Sequence, residues 1–332
     1  MGSGYWRSKK VLVAGGAGFI GSYLVEELVQ EGAKVVVVDK IEKRELHNLA
    51  PLLGAIEFIQ RDLLELSACV EVTAGMDVVL NLAGKTSGIG YSVAHHGELF
   101  TVNSLLSLNL LEAARRNGVP RLLVVSSSCV YPDDAPAPTA ELAVNTGLPE
   151  AANEGYGWAK RMAELQAQYY AKEHNMQIAV VRPFNPYGKR YRWEGEKSHV
   201  IPMLVKKICD GEDPVVVWGS GNQRRNFIHA RDAARIMKLI TERHACADPV
   251  NIGFEDTISM RDLVEMMVTL AGKRPKIVFD RTRPEGREIK SADAAKLKAI
   301  TGGLLPTVSL KDGLREMIEW HEENFGRSGG AT

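Results

Sequence analysis

Apolar runs and amphipathic stretches alternate along the first half of the chain. KKVLVAGGAGFIGSYLVEELVQEGAKVVVVDK reads in order as an apolar strand, a glycine-rich turn, a helix with one apolar face and a second apolar strand. That is one βαβ unit. Further apolar runs follow at AIEFIQ, DVVLNLAG, RLLVVSS and IAVVRPF, separated by the helix-length segments LFTVNSLLSLNLLEAARRNG and YGWAKRMAELQAQYYAKEHN. Strands that are apolar throughout are buried on both faces, which predicts a doubly wound parallel sheet of the α/β class.

The texture changes past Arg182, where Pro and Gly punctuate RPFNPYGKRYRWEGEKSHVIP. The expected division is a dinucleotide-binding (Rossmann) domain over 1–182, with a returning segment near 226–250, and a smaller α/β substrate-binding lobe made of 183–225 and 251–330. The closing RSGGAT is expected to fray. The two long helices are apolar over more than one stripe, so a homodimer seam of four helices is expected, with core packing as the alternative.

Composition narrows the function classes. The chain of 332 residues is 45% hydrophobic and 25% charged, with a formal net charge of zero. No dense basic block offers a field for nucleic acid or for a lipid surface, so neither partner is expected. MGSGYWRSKK lacks the order of a signal peptide, and a cytoplasmic protein is the expectation. Cys69, Cys129, Cys209 and Cys246 form no CxxC pair, so no disulfide framework or metal site is expected.

Gly15, Gly18 and Gly21 give the spacing GxxGxxG between strand and helix, with Phe19 and Ile20 inside it. Such glycines serve a tight turn, the approach of backbone to a pyrophosphate and the packing of helix on strand, and phosphate then rests at the helix N-terminus. Asp39 ends the next strand, where a carboxylate can accept hydrogen bonds from both hydroxyls of an adenosine ribose. It would repel a 2′-phosphate, which predicts NAD, although Lys40, Lys43 and Arg44 stand nearby. Asp62 and Leu63 follow the third strand. Ala83, in NLAG, follows the fourth, where adenine and the second ribose would lie.

Tyr156 and Lys160 are four residues apart, on one face of a helix. A nearby ammonium favours a phenolate and lowers the phenol's pKa, and Lys160 can also hold the nicotinamide ribose. Together with the hydroxyl-rich strand end SSSCVYP, these residues resemble the extended short-chain dehydrogenase/reductase family, whose members mostly modify nucleotide sugars. The resemblance implies that Ser127 hydrogen-bonds the substrate oxygen beside the catalytic Tyr156. Dehydratases of that family carry an Asp-Glu pair where this chain has Ser128 and Cys129, so elimination is not expected.

SSSCVYP, SHVIP and VVVWGSG are similar to the GDP-fucose synthase branch, and SGIGYS, PVNIG, PEGRE and SLKDGLR to the GDP-mannose 3,5-epimerase branch. The first similarity puts an acid/base pair on Cys129 and His199; the second branch has a lysine where this chain has His199. Thiol and imidazole both titrate near enough to neutrality to exchange protons with carbons acidified by a neighbouring ketone. Packed thiol and surface imidazole are the alternative roles. Resemblance also assigns sugar or diphosphate contacts to Gly88, Ile89, Gly90, Asn185, Arg225 and Arg287, where arginine suits a diphosphate through its planar fork. Trp193 and Trp218 can stack on a base or pack the lobe. The expected function is an NAD-dependent nucleotide-sugar epimerase, acting on a GDP-mannose-type sugar by C4 oxidation, C3 and/or C5 inversion and re-reduction. The alternatives are an NADPH-dependent 3,5-epimerase/4-reductase and a simple 4-epimerase.

Overall fold

The structure is a computed structural model and describes residues 4–326 apart from 194, 196, 197 and 284. Of RSGGAT, 327–332, nothing is described.

The first half of the chain supplies six strands: β1 (Lys10–Ala14), β2 (Lys34–Asp39), β3 (Ile56–Gln60), β4 (Val78–Asn81), β5 (Arg121–Val125) and β6 (Gln177–Pro183). Four short strands follow, β7 (Pro186–Tyr187), β8 (Val215–Trp218), β9 (Arg224–Arg225) and β10 (Ile228–His229), before β11 (Val250–Ile252) returns to the large sheet. That sheet has seven strands in the order β11-β6-β5-β4-β1-β2-β3, every pair parallel. The doubly wound expectation from the apolar runs is therefore met.

Helices cover both faces because alternate residues of each strand point opposite ways. On one side α1 (Phe19–Gln30) and α7 (Ala230–Arg243) bury Leu24, Leu28, Ile236 and Ile240 against Val11, Val13, Val35 and Val37. On the other, α2 (Leu66–Thr73), α4 (His96–Arg116) and α5 (Glu154–His174) bury Val72, Leu110, Ala163 and Ala167 against Leu12, Val36, Val79 and Leu122. The four-residue helix α3 (Ile89–Ser92) sits in the loop after β4.

The smaller lobe holds α6 (Val200–Cys209), α8 (Met260–Leu270) and α10 (Leu310–Phe325), whose Leu204, Leu263 and Met317 share a core with Val215 and Val217 of β8. Its strands β12 (Ile258–Ser259) and β14 (Ile289–Lys290) flank β9, and β13 (Ile277–Asp280) pairs with β8. The returning segment runs on past its expected end at 250, and one helix of the stretch grouped with the lobe lies with the large sheet. β11 is its edge strand, and Leu297 of α9 (Ala295–Thr301) packs in the core beneath α7. An apolar VNI run of three residues is too short to be placed from periodicity alone.

Strand order reverses between β1 and β4. In open α/β sheets the crevice at the carboxyl ends of such strands is where ligands bind. The glycine-rich turn, the loop carrying α3 and the turn after β5 all converge there.

Candidate active site

The glycine-rich turn is shaped by close contact. Gly15 has φ +71°, and a Cβ there would lie 2.8 Å from the Ala83 backbone. A side chain is thus excluded where β1 and β4 diverge. Gly18 begins α1, and no side chain caps that first turn; its N–H groups and the helix dipole suit an anion. Ile20 packs against the core, while Phe19 makes an edge contact with Tyr191 at 4.5 Å between ring centres.

Asp39 ends β2 beside this turn. Its carboxylate accepts from the Lys40 backbone N–H at 2.8 Å and also from the N–H groups of Ile41 and Ala17, while burial raises its pKa. Asp62 is exposed and accepts from the Leu64 N–H, and Leu63 turns its side chain into the core. A carboxylate tied to the phosphate-type turn, a cradle closed to side chains and an uncapped helix start together fit a dinucleotide.

At the carboxyl end of β5, Ser127 opens a 3-10 turn in which its Oγ accepts from the Cys129 N–H at 3.1 Å. The Ser127 hydroxyl also hydrogen-bonds the Tyr156 phenol. Lys160, one helical turn on, donates from Nζ to the Val125 carbonyl at 2.8 Å and stands 5.5 Å from the Tyr156 ring centre. Burial lowers the Lys160 pKa to about 8. It raises that of Tyr156, and the Cys129 charge raises it further. Burial thus outweighs the lowering by the Ser127 hydrogen bond, and the lowering expected from the Lys160 ammonium does not offset it.

Cys129 meets two groups that sequence reasoning missed. Lys290 Nζ lies 3.7 Å from its Sγ and 2.8 Å from Glu150 Oε2. Burial raises the thiol to about 11, with Lys290 pulling it down and Glu150 pushing it up. His199, at the start of α6, presents an exposed surface within the cleft while protein surrounds it. Burial there and the Lys290 ammonium lower it to about 4. Its ring meets Tyr191 edge-on at 5.1 Å, and the Tyr191 hydroxyl bonds Thr86 across the cleft. Lys290 therefore acts on both groups, by contact with the Cys129 thiol and through its charge on His199, and no local motif announces it.

The substrate-contact candidates line the same cleft. Gly88 opens α3, Ile89 approaches Gly286, and Gly90 lies against the Trp218 indole, which also carries Arg283 at 5.2 Å. Asn185 has φ +39° and spends its side-chain N–H on the Asn226 carbonyl at 2.8 Å. Arg225 donates to the Glu285 carbonyl at 2.8 Å. Arg287 is 5% exposed and donates from Nη2 to the Ala135 carbonyl at 2.7 Å, leaving Nε and Nη1 unpartnered among the described residues. Trp193 does not face the cleft: it is buried and stacks on Trp320 at 5.2 Å, so it packs the lobe.

Far from the cleft, His244, Cys246 and Asp248 gather at the surface with ligand-type spacing. Lys296 Nζ, 2.6 Å from Asp248 Oδ1, already supplies a cation there. Among the described residues no helix is long and apolar enough to cross a membrane.

Comparison with known proteins agrees with this geometry. The chain is 32% identical to a putative GDP-L-fucose synthase 2 of Arabidopsis thaliana, over 96% of this chain and 93% of the relative. It is 31% identical to GDP-mannose 3,5-epimerase 1 of Oryza sativa subsp. japonica, over 97% and 84% respectively. A crystal structure of a dTDP-glucose 4,6-dehydratase from Streptomyces venezuelae with NAD bound superposes with a TM-score of 0.82 at 26% identity, covering 96% of this chain and 98% of the other. The NAD dependent epimerase/dehydratase family matches residues 11–253. This chain belongs to that family, as the glycine turn and the Ser127, Tyr156 and Lys160 grouping indicate.

Proposed function

We propose that the chain is an NAD-dependent nucleotide-sugar epimerase that oxidises C4 of a GDP-mannose-type sugar, inverts C3, C5 or both, and returns hydride to C4. The observation that carries this reading is the placement of the Cys129 thiol two residues from the hydroxyl that holds the Tyr156 phenol. The relatives named for GDP-sugar chemistry support the substrate class. NAD, once held by Gly15, Gly18, Gly21, Asp39 and Lys160, supplies the acceptor and donor of hydride.

The chain's own residues handle the protons. Tyr156, as the phenolate, takes the C4 hydroxyl proton; burial disfavours that form, and the neighbouring Lys160, still mostly an ammonium at pH 7, can stabilise it. With its thiol near 11 and its imidazole near 4, the cleft at neutral pH holds a protonated Cys129 and a neutral His199. His199 therefore accepts the proton from the carbon beside the ketone, and that C–H electron pair enters an enolate. Cys129 then delivers its own proton from the other face and is left as thiolate. Arg225 and Arg287 hold the diphosphate, and Gly88, Ile89, Gly90 and Asn185 border the sugar.

The test is turnover of GDP-mannose in deuterated water, read by NMR, with mass spectrometry of co-purifying nucleotides to correct the base. Deuterium at C3 or C5 is expected. Inversion at C4 with no deuterium at either carbon overturns this reading for a simple 4-epimerase. His199 favours a second reading, a GDP-fucose synthase-like 3,5-epimerase/4-reductase; it requires stoichiometric NADPH consumption, against which Asp39 stands. We further propose a cytoplasmic homodimer joined through α4 and α5, where Phe100, Leu105 and Tyr169 are exposed.

A further inference from the structure

One buried charged pair in the cleft has so far no task. Lys290 and Glu150 are 5% and 4% exposed, and burying two ions is costly unless geometry and further hydrogen bonds compensate. The surroundings meet that demand. Asn153 Nδ2 donates to Glu150 Oε2 at 3.2 Å, and the Glu150 backbone N–H donates to the Cys129 carbonyl at 3.2 Å. Lys290 arrives from the other lobe, where β14 sets it in register with Arg225 of β9 and the Asn226 N–H donates to its carbonyl at 2.9 Å. The ammonium thereby reaches across the cleft to a carboxylate and a thiol that stand together on its other side.

We propose that Lys290, anchored by Glu150, is the positioning residue that lets Cys129 release its proton to the substrate carbon. The inference rests on the epimerase reading for its purpose, and on the 3.7 Å contact for its mechanism. As the S–H bond breaks and a C–H bond forms, the sulfur keeps the electron pair. The ammonium stabilises that thiolate, since an opposite charge at this range favours the charged form. Lys290 gives up no proton itself: Glu150 is held down near 2 by its ammonium, and Lys290 is raised in turn. The same ammonium disfavours an imidazolium at His199, which keeps the two proton carriers in opposite roles at rest. A pair that merely joined the lobes would have no need of the thiol.

The test uses iodoacetamide on the full chain, with alkylation followed for the Cys129 peptide by mass spectrometry, so that Cys69, Cys209 and Cys246 do not interfere. The thiolate attacks the methylene carbon, a C–S bond forms and iodide leaves, so the rate against pH reports the thiolate fraction. In Lys290→Met the apparent pKa of Cys129 should rise by roughly one to three units, slowing alkylation at pH 9 about tenfold or more. Lys290→Arg, which keeps the charge, should restore most of the rate. A Lys290→Met protein alkylated as fast as the parent overturns the inference. Should that variant fail to fold, Lys290→Gln decides in its place: slower alkylation supports the assignment, and an unchanged rate overturns it. Deuterium entry into the sugar separates the two layers. Slowed alkylation without any deuterium entry in the parent sinks the epimerase reading and leaves the Lys290 assignment standing. Deuterium entry with unchanged alkylation does the reverse.

Discussion

The Tyr156 phenol is hydrogen-bonded to the Ser127 hydroxyl, joining the first turn of α5 to the turn after β5. In the proposed mechanism the proton moves through the Tyr156 phenolic oxygen, and Ser127 orients that oxygen by its hydrogen bond. Tyr156→Phe should therefore lower kcat by between about a hundredfold and ten-thousandfold, with Ser127→Ala falling short of it. Steady-state rates with the GDP-sugar found to turn over check the order; equal losses would mean that Ser127 also carries a proton.

Asp39 binds the glycine turn through the Ala17 N–H, so its carboxylate is held still before any ribose arrives. Asp39→Asn keeps the shape and removes the charge. Hydrogen bonds to charged groups contribute about 1.5–3 kcal/mol, so NAD should bind roughly tenfold to a hundredfold more weakly, while NADP gains relative to it. Calorimetric titration of both cofactors measures the ratio.

Glu150 gives acid stability a definite window. Its folded pKa is depressed from 4.5 to about 2. A depressed carboxylate contributes stability that is present above pH 4.5 and lost as pH falls towards 2, here about 3 kcal/mol. Urea unfolding of the parent should lose at least that amount across the window, since Glu98, Glu112 and Glu316 are depressed as well, and Glu150→Gln should show a shallower slope there. Parallel slopes for the two proteins would sink the prediction.

Arg182 and Glu164 form another sealed ion pair, 1% and 0% exposed at their side chains, with Nε to Oε1 at 2.9 Å. Ser126 donates to the same carboxylate and Tyr131 accepts from Arg182. Arg182→Met strands a buried carboxylate and should cost about 3–5 kcal/mol. Adding Glu164→Leu should recover much of that loss, visible as a rise in Tm.

How much of this was legible in the sequence varied with distance along the chain. The βαβ opening, the GxxGxxG turn and the Tyr156–Lys160 face are local, and local periodicity exposes them. Lys290 and Glu150 are 140 residues apart; the pairing of β14 with β9 sets Lys290 in place, while the Glu150 backbone N–H bonds the Cys129 carbonyl. Gly157 hides in plain view inside YGWAK: a Cβ there would lie 2.6 Å from the Cys129 carbonyl and 2.5 Å from Pro149, so this glycine sets how closely Tyr156 approaches Ser127. Trp193 was ambiguous because an indole packs a core as readily as it stacks on a base, and its neighbour Trp320 lies at the far end of the sequence.

Arg287 buries two nitrogens that have no partner among the described residues. Donors buried without acceptors weaken a fold, so if Arg287 takes the diphosphate proposed for it, that anion should relieve the cost. Part of the energy of docking would then reappear as resistance to heat, and a melting curve would gauge what has entered the cleft.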